Sequence, residues 1–136
     1  MNNLINDERD YDAFRIEFFV NDIEKSVVFY QNILRLKLLQ QGENSASFIS
    51  DESHLLLTSF DVLEDNHYFK KHNFAKLGGG VEFIIITDQV EELYKSIKQK
   101  KTNSIESDLK QQTWGMVDFR VIDPDGYYIR VSSKRK

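Results

Sequence analysis

The chain has 136 residues, 40% of them hydrophobic and 29% charged, which is enough for one domain with a real core. It has no cysteine, which excludes disulfides and thiolate metal sites. A net charge of −4 argues against nucleic acid as a partner, and no apolar run approaches a membrane span, so no membrane partner is expected and the default location is cytoplasmic.

Residues 1–13 are polar and irregular and read as an N-terminal arm. Residues 14–133 read as one domain, with module one at 14–60, a connection at 61–80 and module two at 81–133. Phe14 to Val20 is the first expected strand: Phe14, Ile16 and Phe18 face one side, and Arg15, Glu17 and Phe19 the other. Asp22 is placed to cap a helix from about Ile23 to Leu34, whose apolar face is Ile23, Val27, Tyr30 and Leu34. Three short strands follow, near 36–41, 46–50 and 54–60, separated by polar turns.

The connection has no clean period and is expected to hold one helical turn. Its His67 and His72 are five apart, do not share a helix face, and read as exposed polar residues. Gly78-Gly79-Gly80 reads as a hinge or a tight lead-in to a strand. It lacks the downstream Lys-Ser/Thr of a phosphate loop.

Val81 to Thr87 is the next strand. Asp88 with Glu91 has the spacing of a capping box, ahead of a helix from 89 to 101 with the stripe Val90, Leu93, Tyr94 and Ile97. A weak strand at 104–108 and a polar turn at 109–112 follow. The chain then gives Met116 to Ile122, the turn Asp123-Pro124-Asp125-Gly126, and Tyr127 to Ser132, two strands rich in β-branched and aromatic residues. Trp114, the single tryptophan, stands where a loop enters a strand. It reads as half-buried packing, with a stacking surface for a flat ligand as the functional alternative.

The halves repeat. V-N-D-I-E-K-S-V-V-F-Y from Val20 and T-D-Q-V-E-E-L-Y-K-S-I from Thr87 are each strand, Asp, amphipathic helix, with Asp22 and Asp88 as counterparts. The expected fold is therefore α+β, with two βαβββ modules per chain forming curved mixed sheets. A four-stranded sheet with one helix leaves a face bare, so two copies are expected to enclose a groove.

These motifs, together with W-G-x-x-x-F-x-x-x-D-P-D-G from Trp114, resemble the vicinal oxygen chelate superfamily of glyoxalase I, bleomycin-resistance proteins and ring-cleaving dioxygenases. The resemblance covers about Phe14 to Ser133 and is greatest to the bleomycin-resistance branch. It implies paired modules and a homodimer. Arg35 stands where the family commonly has glycine.

The resemblance also implies four strand positions that hold a divalent metal in the enzymes, through His, Gln or Glu. Counted from the motifs, they fall on Arg15, Leu56 or its neighbour, Glu82 and Arg130. Only Glu82 suits a metal, and two arginines repel one. No metal, cofactor or catalytic residue is therefore expected, and whether the chain is an enzyme stays open.

Arg15 and Arg130 are expected to face inward with Glu17 and Glu82, each carboxylate paired with an arginine. The cluster is either a self-satisfied charge network or an anchor for a ligand carboxylate or phosphate. Phe48, Phe60, Trp114, Phe119 and Tyr128 complete the candidate ligand-binding set. The leading reading is a metal-independent small-molecule-binding protein of the antibiotic-resistance type. Its alternatives are a metal-dependent lyase, isomerase or dioxygenase, and a non-catalytic interaction module.

Overall fold

The computed structural model describes residues 13–72 and 77–134. The expected arm lies, but for residue 13, outside them. Module one runs β1 (Arg15–Val20), α1 (Ile23–Val28), β2 (Lys37–Gln41), β3 (Ser45–Ser50) and β4 (Ser53–Ser59). After a 3₁₀ turn (Phe60–Val62) and the short helix α2 (Tyr68–Lys71), module two runs β5 (Glu82–Ile86), α3 (Val90–Gln99), β6 (Ile105–Gln111), β7 (Val117–Ile122) and β8 (Tyr128–Ser132).

Sheet one has the order β1-β4-β3-β2 and sheet two the order β5-β8-β7-β6. In each, the first strand pairs in parallel with the last and the other neighbours are antiparallel. The fold is α+β with the βαβββ unit used twice. One apolar cluster draws on both modules, with Phe18, Tyr30, Phe48, Leu57, Ile97, Phe119 and Ile129 among its buried members. Among the described residues, no helix is long and apolar enough to cross a membrane.

Local chemistry explains where the elements start and stop. Asp22 caps α1 as its position predicts, accepting from the Lys25 backbone N–H at 3.1 Å. The helical stretch does not stay α to Leu34. Phe29–Ile33 is a π turn, with the Leu34 N–H bonded to the Phe29 carbonyl at 3.0 Å. The wider turn accompanies full burial of two sequence neighbours, Phe29 and Tyr30.

The Asp88 capping box does not form. The helix starts one residue later, at Val90, and Gln89 takes the cap position with no side-chain cap. The hydroxyl of Thr87 instead accepts from the Gln89 N–H at 3.0 Å. Both helices leave through a left-handed residue, Arg35 (φ 61) and Lys101 (φ 53). A left-handed backbone is the conformation glycine tolerates best, which fits the glycine that the resemblance implies at the Arg35 position.

The expected polar turn at 109–112 is mostly strand. β6 runs on to Gln111 because Lys110 and Gln111 pair with Asp118 and Val117 on β7, after two register shifts that hide the alternation. The reversal falls at Gln112–Met116, and Trp114 sits on it, 56% exposed and not half-buried as expected.

The Asp123–Gly126 turn does more than join β7 to β8. Asp123, 4% exposed, accepts from the Tyr30 hydroxyl at 2.7 Å and from the backbone N–H groups of Asp125 and Tyr127 at 2.9 and 2.8 Å. Asp125 accepts from the Asn21 N–H at 3.1 Å and the Ser26 hydroxyl at 3.4 Å. The Tyr127 hydroxyl donates to the Phe19 carbonyl at 2.8 Å, and its ring stacks on Phe18 at 4.0 Å. A turn of module two thus docks on the start of α1 in module one. Gly78 lies against the same turn: a Cβ on it would stand 2.5 Å from the Gly126 carbonyl oxygen, and its φ is +83.

Candidate functional site

Strand register assembles one face of sheet two. Glu82 pairs with Tyr128 and Ile84 with Arg130 between β5 and β8, while Arg120 pairs with Arg130 and Asp118 with Ser132 between β7 and β8. Side chains alternate along strands, so Glu82, Asp118, Arg120, Tyr128 and Arg130 share this face.

Glu82 is its hub. It accepts from Arg130 through Nε at 2.9 Å and Nη2 at 3.2 Å, and from Arg120 Nε at 3.1 Å. Arg120 Nη1 also reaches Asp118 Oδ1 at 3.3 Å, which accepts from Gln112 Nε2 at 2.8 Å. Asp118 Oδ2 is buried and has no partner among the described residues. The Tyr128 hydroxyl donates to Glu106 at 2.7 Å.

Burial pushes the Glu82 carboxyl up, but the hydrogen bonds and charges of Arg130 and Arg120 together outweigh it and hold its pKa below the ordinary value. Burial, with the bond to Glu106, pushes Tyr128 up to about 12.

The rest of the expected site is not brought here. Arg15 is exposed at the start of β1 and makes no ion pair among the described residues. Glu17 takes the Thr58 hydroxyl at 2.6 Å instead of an arginine. Sequence reasoning thus paired the wrong arginine with the cluster. Arg120 is the second guanidinium, and its signal was its place two residues from Asp118 on a strand beside Arg130.

Phe119 lies on the opposite face of β7, fully buried and edge-on to Tyr94 at 5.3 Å. Phe48 is a core ring against Tyr30 at 5.9 Å. Neither belongs to the polar face. Phe60 is half-buried under the Lys70 ammonium, 5.3 Å from the ring centre. Trp114 is on the exposed β6–β7 reversal.

The donor set does not fit the metal that the resemblance implies for the enzymes. Among the described residues no three His, Cys, Asp or Glu cluster. Both oxygens of Glu82 are engaged by arginines, and a guanidinium close to a divalent ion is repelled by several kcal/mol at an effective dielectric of about 20. The histidines do not supply ligands. His67 is not an exposed polar residue: it is half-buried, caps α2 through Nδ1 and packs on Phe19 at 5.5 Å.

Sequence reasoning missed a second feature. A cleft of about 330 Å³ lies between β1, the described residues Phe69 and Leu77 to Gly79, and Tyr127. Its signal was the run of aromatic residues in a connection without period, next to a glycine triplet.

Residues 13–131 match the model of the Glyoxalase/Bleomycin resistance protein/Dioxygenase superfamily, and the chain belongs to it. It is similar to a bleomycin resistance protein of Geobacillus stearothermophilus, 29% identical over 117 residues that span 81% of this chain and 87% of that one. Solved structures share the fold. A protein of unknown function from Agrobacterium tumefaciens superposes with a TM-score of 0.72 at 22% identity, covering 98% of this chain and 100% of that one. A member of the same superfamily from Sphaerobacter thermophilus gives 0.68 at 19% identity, covering 92% and 98%.

Proposed function

We propose that this chain is a metal-independent small-molecule-binding protein that holds its ligand without transforming it. The observation that carries the reading is Glu82. It is the single carboxylate at the positions where the resemblance implies metal ligands, and it is bound to two arginines. The similarity to a bleomycin resistance protein supports sequestration as the mode of action.

Residues 14–133 act as one domain in the cytoplasm, and a second copy completes the groove. Ile84, Ile86 and Ile122 are 45%, 60% and 40% exposed on the face of the charge cluster, an apolar rim that a partner would cover.

The test has three readings on the purified chain. Metal content after incubation with Ni, Zn, Fe or Mn is expected to be substoichiometric. Sedimentation at micromolar concentration is expected to give a dimer, and a 16.0 kDa species would sink the shared groove. Thermal shift against bleomycin and a panel of charged metabolites is expected to find a ligand. Stoichiometric metal that disappears in Glu82→Gln would instead establish the lyase, isomerase or dioxygenase reading.

A further inference from the structure

We propose that the unspent N–H edges of Arg120 and Arg130 bind an oxyanion, a carboxylate or a phosphate, carried on an apolar body. The proposal rests on the reading of this face as the ligand groove and names the ligand's chemistry. The two arginines are register partners across β7 and β8, so their side chains share one face. Like charges directly opposite each other repel, and anionic oxygens between them relieve the repulsion. Glu82 supplies such oxygens from β5.

Donors are left over. A guanidinium carries more N–H groups than one carboxylate can use. Arg130 spends Nε and Nη2 on Glu82, while Arg120 spends Nε on Glu82 and Nη1 on Asp118. Arg130 Nη1 and Arg120 Nη2 donate to no described residue. The two side chains are 18% (Arg120) and 22% (Arg130) exposed, so the cluster is not sealed. The acceptors beside them are spent. Both Glu82 oxygens are taken, Asp118 Oδ1 accepts from Arg120 and Gln112, and Asp118 Oδ2 is buried. Glu106 accepts from the Tyr128 hydroxyl, and Lys110, opposite Asp118 in register, is exposed. Glu82, Asp118 and Glu106 thus balance Arg120, Arg130 and Lys110, and net charge does not select the ligand. The unspent N–H groups do, because a group that brings anionic acceptors gains charge-assisted bonds. The lowered pKa of Glu82 agrees, since it reports positive potential at the hub. Ile84, beside Arg130 in register, and Ile122, two residues beyond Arg120, are exposed on the same face and suit an apolar body.

The probes are benzoate, phenyl phosphate and neutral benzamide. Each is titrated into the full chain at neutral pH, with backbone amide shifts followed by NMR. At least one anion is expected to bind about fivefold or more tightly than benzamide, and the tighter of the two tells carboxylate from phosphate. The amides of Ile84, Arg120 and Arg130 are expected to shift. Arg130→Gln leaves Arg120 paired with Glu82, so it is expected to fold, as its amide spectrum checks, and to lose the preference. Arg130→Lys keeps the charge without the fork and is the second variant, expected to reduce the preference. Arg15→Gln, on sheet one, is expected to keep it. Benzamide binding as tightly as both anions would overturn the proposal while leaving ligand binding by this face intact. No binding of either anion, a preference that survives Arg130→Gln, or shifts confined to β1 to β4 would overturn it as well. Metal content, measured separately, decides the reading on which the proposal rests.

Discussion

Module one and module two share a strand topology and differ in what their polar faces do with charge. On sheet two, Glu82 gathers Arg120 and Arg130, and Arg120 reaches on to Asp118, so the charges answer one another. On sheet one, Arg15 and Glu17 stand two residues apart on one strand face without pairing, and a hydroxyl takes one carboxylate oxygen. Duplicating a backbone therefore does not duplicate a site. The closed network ties the strands of sheet two together, whereas on sheet one a hydroxyl is the described partner of the carboxylate. The two modules are nevertheless one packing unit, because the Asp123–Gly126 turn of the second is bonded to the first helix of the first.

That docking gives the largest expected effect. Asp123→Ala removes the acceptor of the Tyr30 hydroxyl and of two backbone N–H groups in a buried place. A loss of about 3–4 kcal/mol in unfolding free energy is expected, since several buried donors are left unsatisfied at once. Calorimetric unfolding that splits into two transitions would show modules coupled only through this turn. An unchanged melting temperature would break the comparison.

Gly78→Ala tests the same contact from the other side. The added Cβ meets the Gly126 carbonyl and the backbone stays at positive φ, so a loss of about 2–3 kcal/mol is expected in denaturant melts.

Glu82→Gln sharpens the contrast between the faces. It leaves partly buried Arg130 without its charge partner and Arg120 with Asp118 alone, at an expected cost of about 1–2 kcal/mol near neutral pH. The pH dependence carries a sign. The folded-state pKa of Glu82 is held below its ordinary 4.5, so its contribution is full above that value and fades as pH falls through the lower folded one. Acid melts of Glu82→Gln are expected to lose this limb. Asp123 runs the other way: burial raises its pKa against the bonds from Tyr30 and the backbone, so its protonation favours the folded state.

Much of this fold is written in local pattern. Alternation in β1 and β5, the stripes of α1 and α3, the Asp22 cap and the Asp123–Gly126 turn are set by neighbours a few residues apart, which periodicity reads directly. The site was legible only in part, because its partners are chosen across strands. Arg130 finding Glu82 follows from parallel register, and Arg120 joining them follows from the β7–β8 pairing, neither of which one strand reveals. Glu17 turning to Thr58 likewise depends on β4 lying beside β1. The Asp88 cap failed for a subtler reason. A threonine one residue earlier offered its own turn, and the helix began one position on.

The smallest expected effect separates the two helix exits. Arg35 and Lys101 both hold a left-handed backbone, which costs a non-glycine residue about 1–2 kcal/mol. Glycine removes that cost but loses more unfolded-state freedom, about 0.5–1 kcal/mol, so relief alone is worth roughly 0.5 kcal/mol. Lys101 makes no side-chain hydrogen bond or ion pair among the described residues, and Lys101→Gly is therefore expected to raise the melting temperature slightly. Arg35 differs: its Nη2 donates to the Ser96 hydroxyl on α3 at 2.9 Å, while Lys100 on the far side reaches the Asn32 carbonyl. The two helix ends thus reach across to each other. Arg35→Gly gains the same relief and loses an exposed bond worth about 0.5–1 kcal/mol, so its net change is expected to be close to zero. The double variant Arg35→Gly with Ser96→Ala is the control, since without the hydroxyl the arginine has no bond to lose. If Arg35→Gly alone stabilises as much as Lys101→Gly, the tie to Ser96 contributes nothing and the two exits are energetically equivalent.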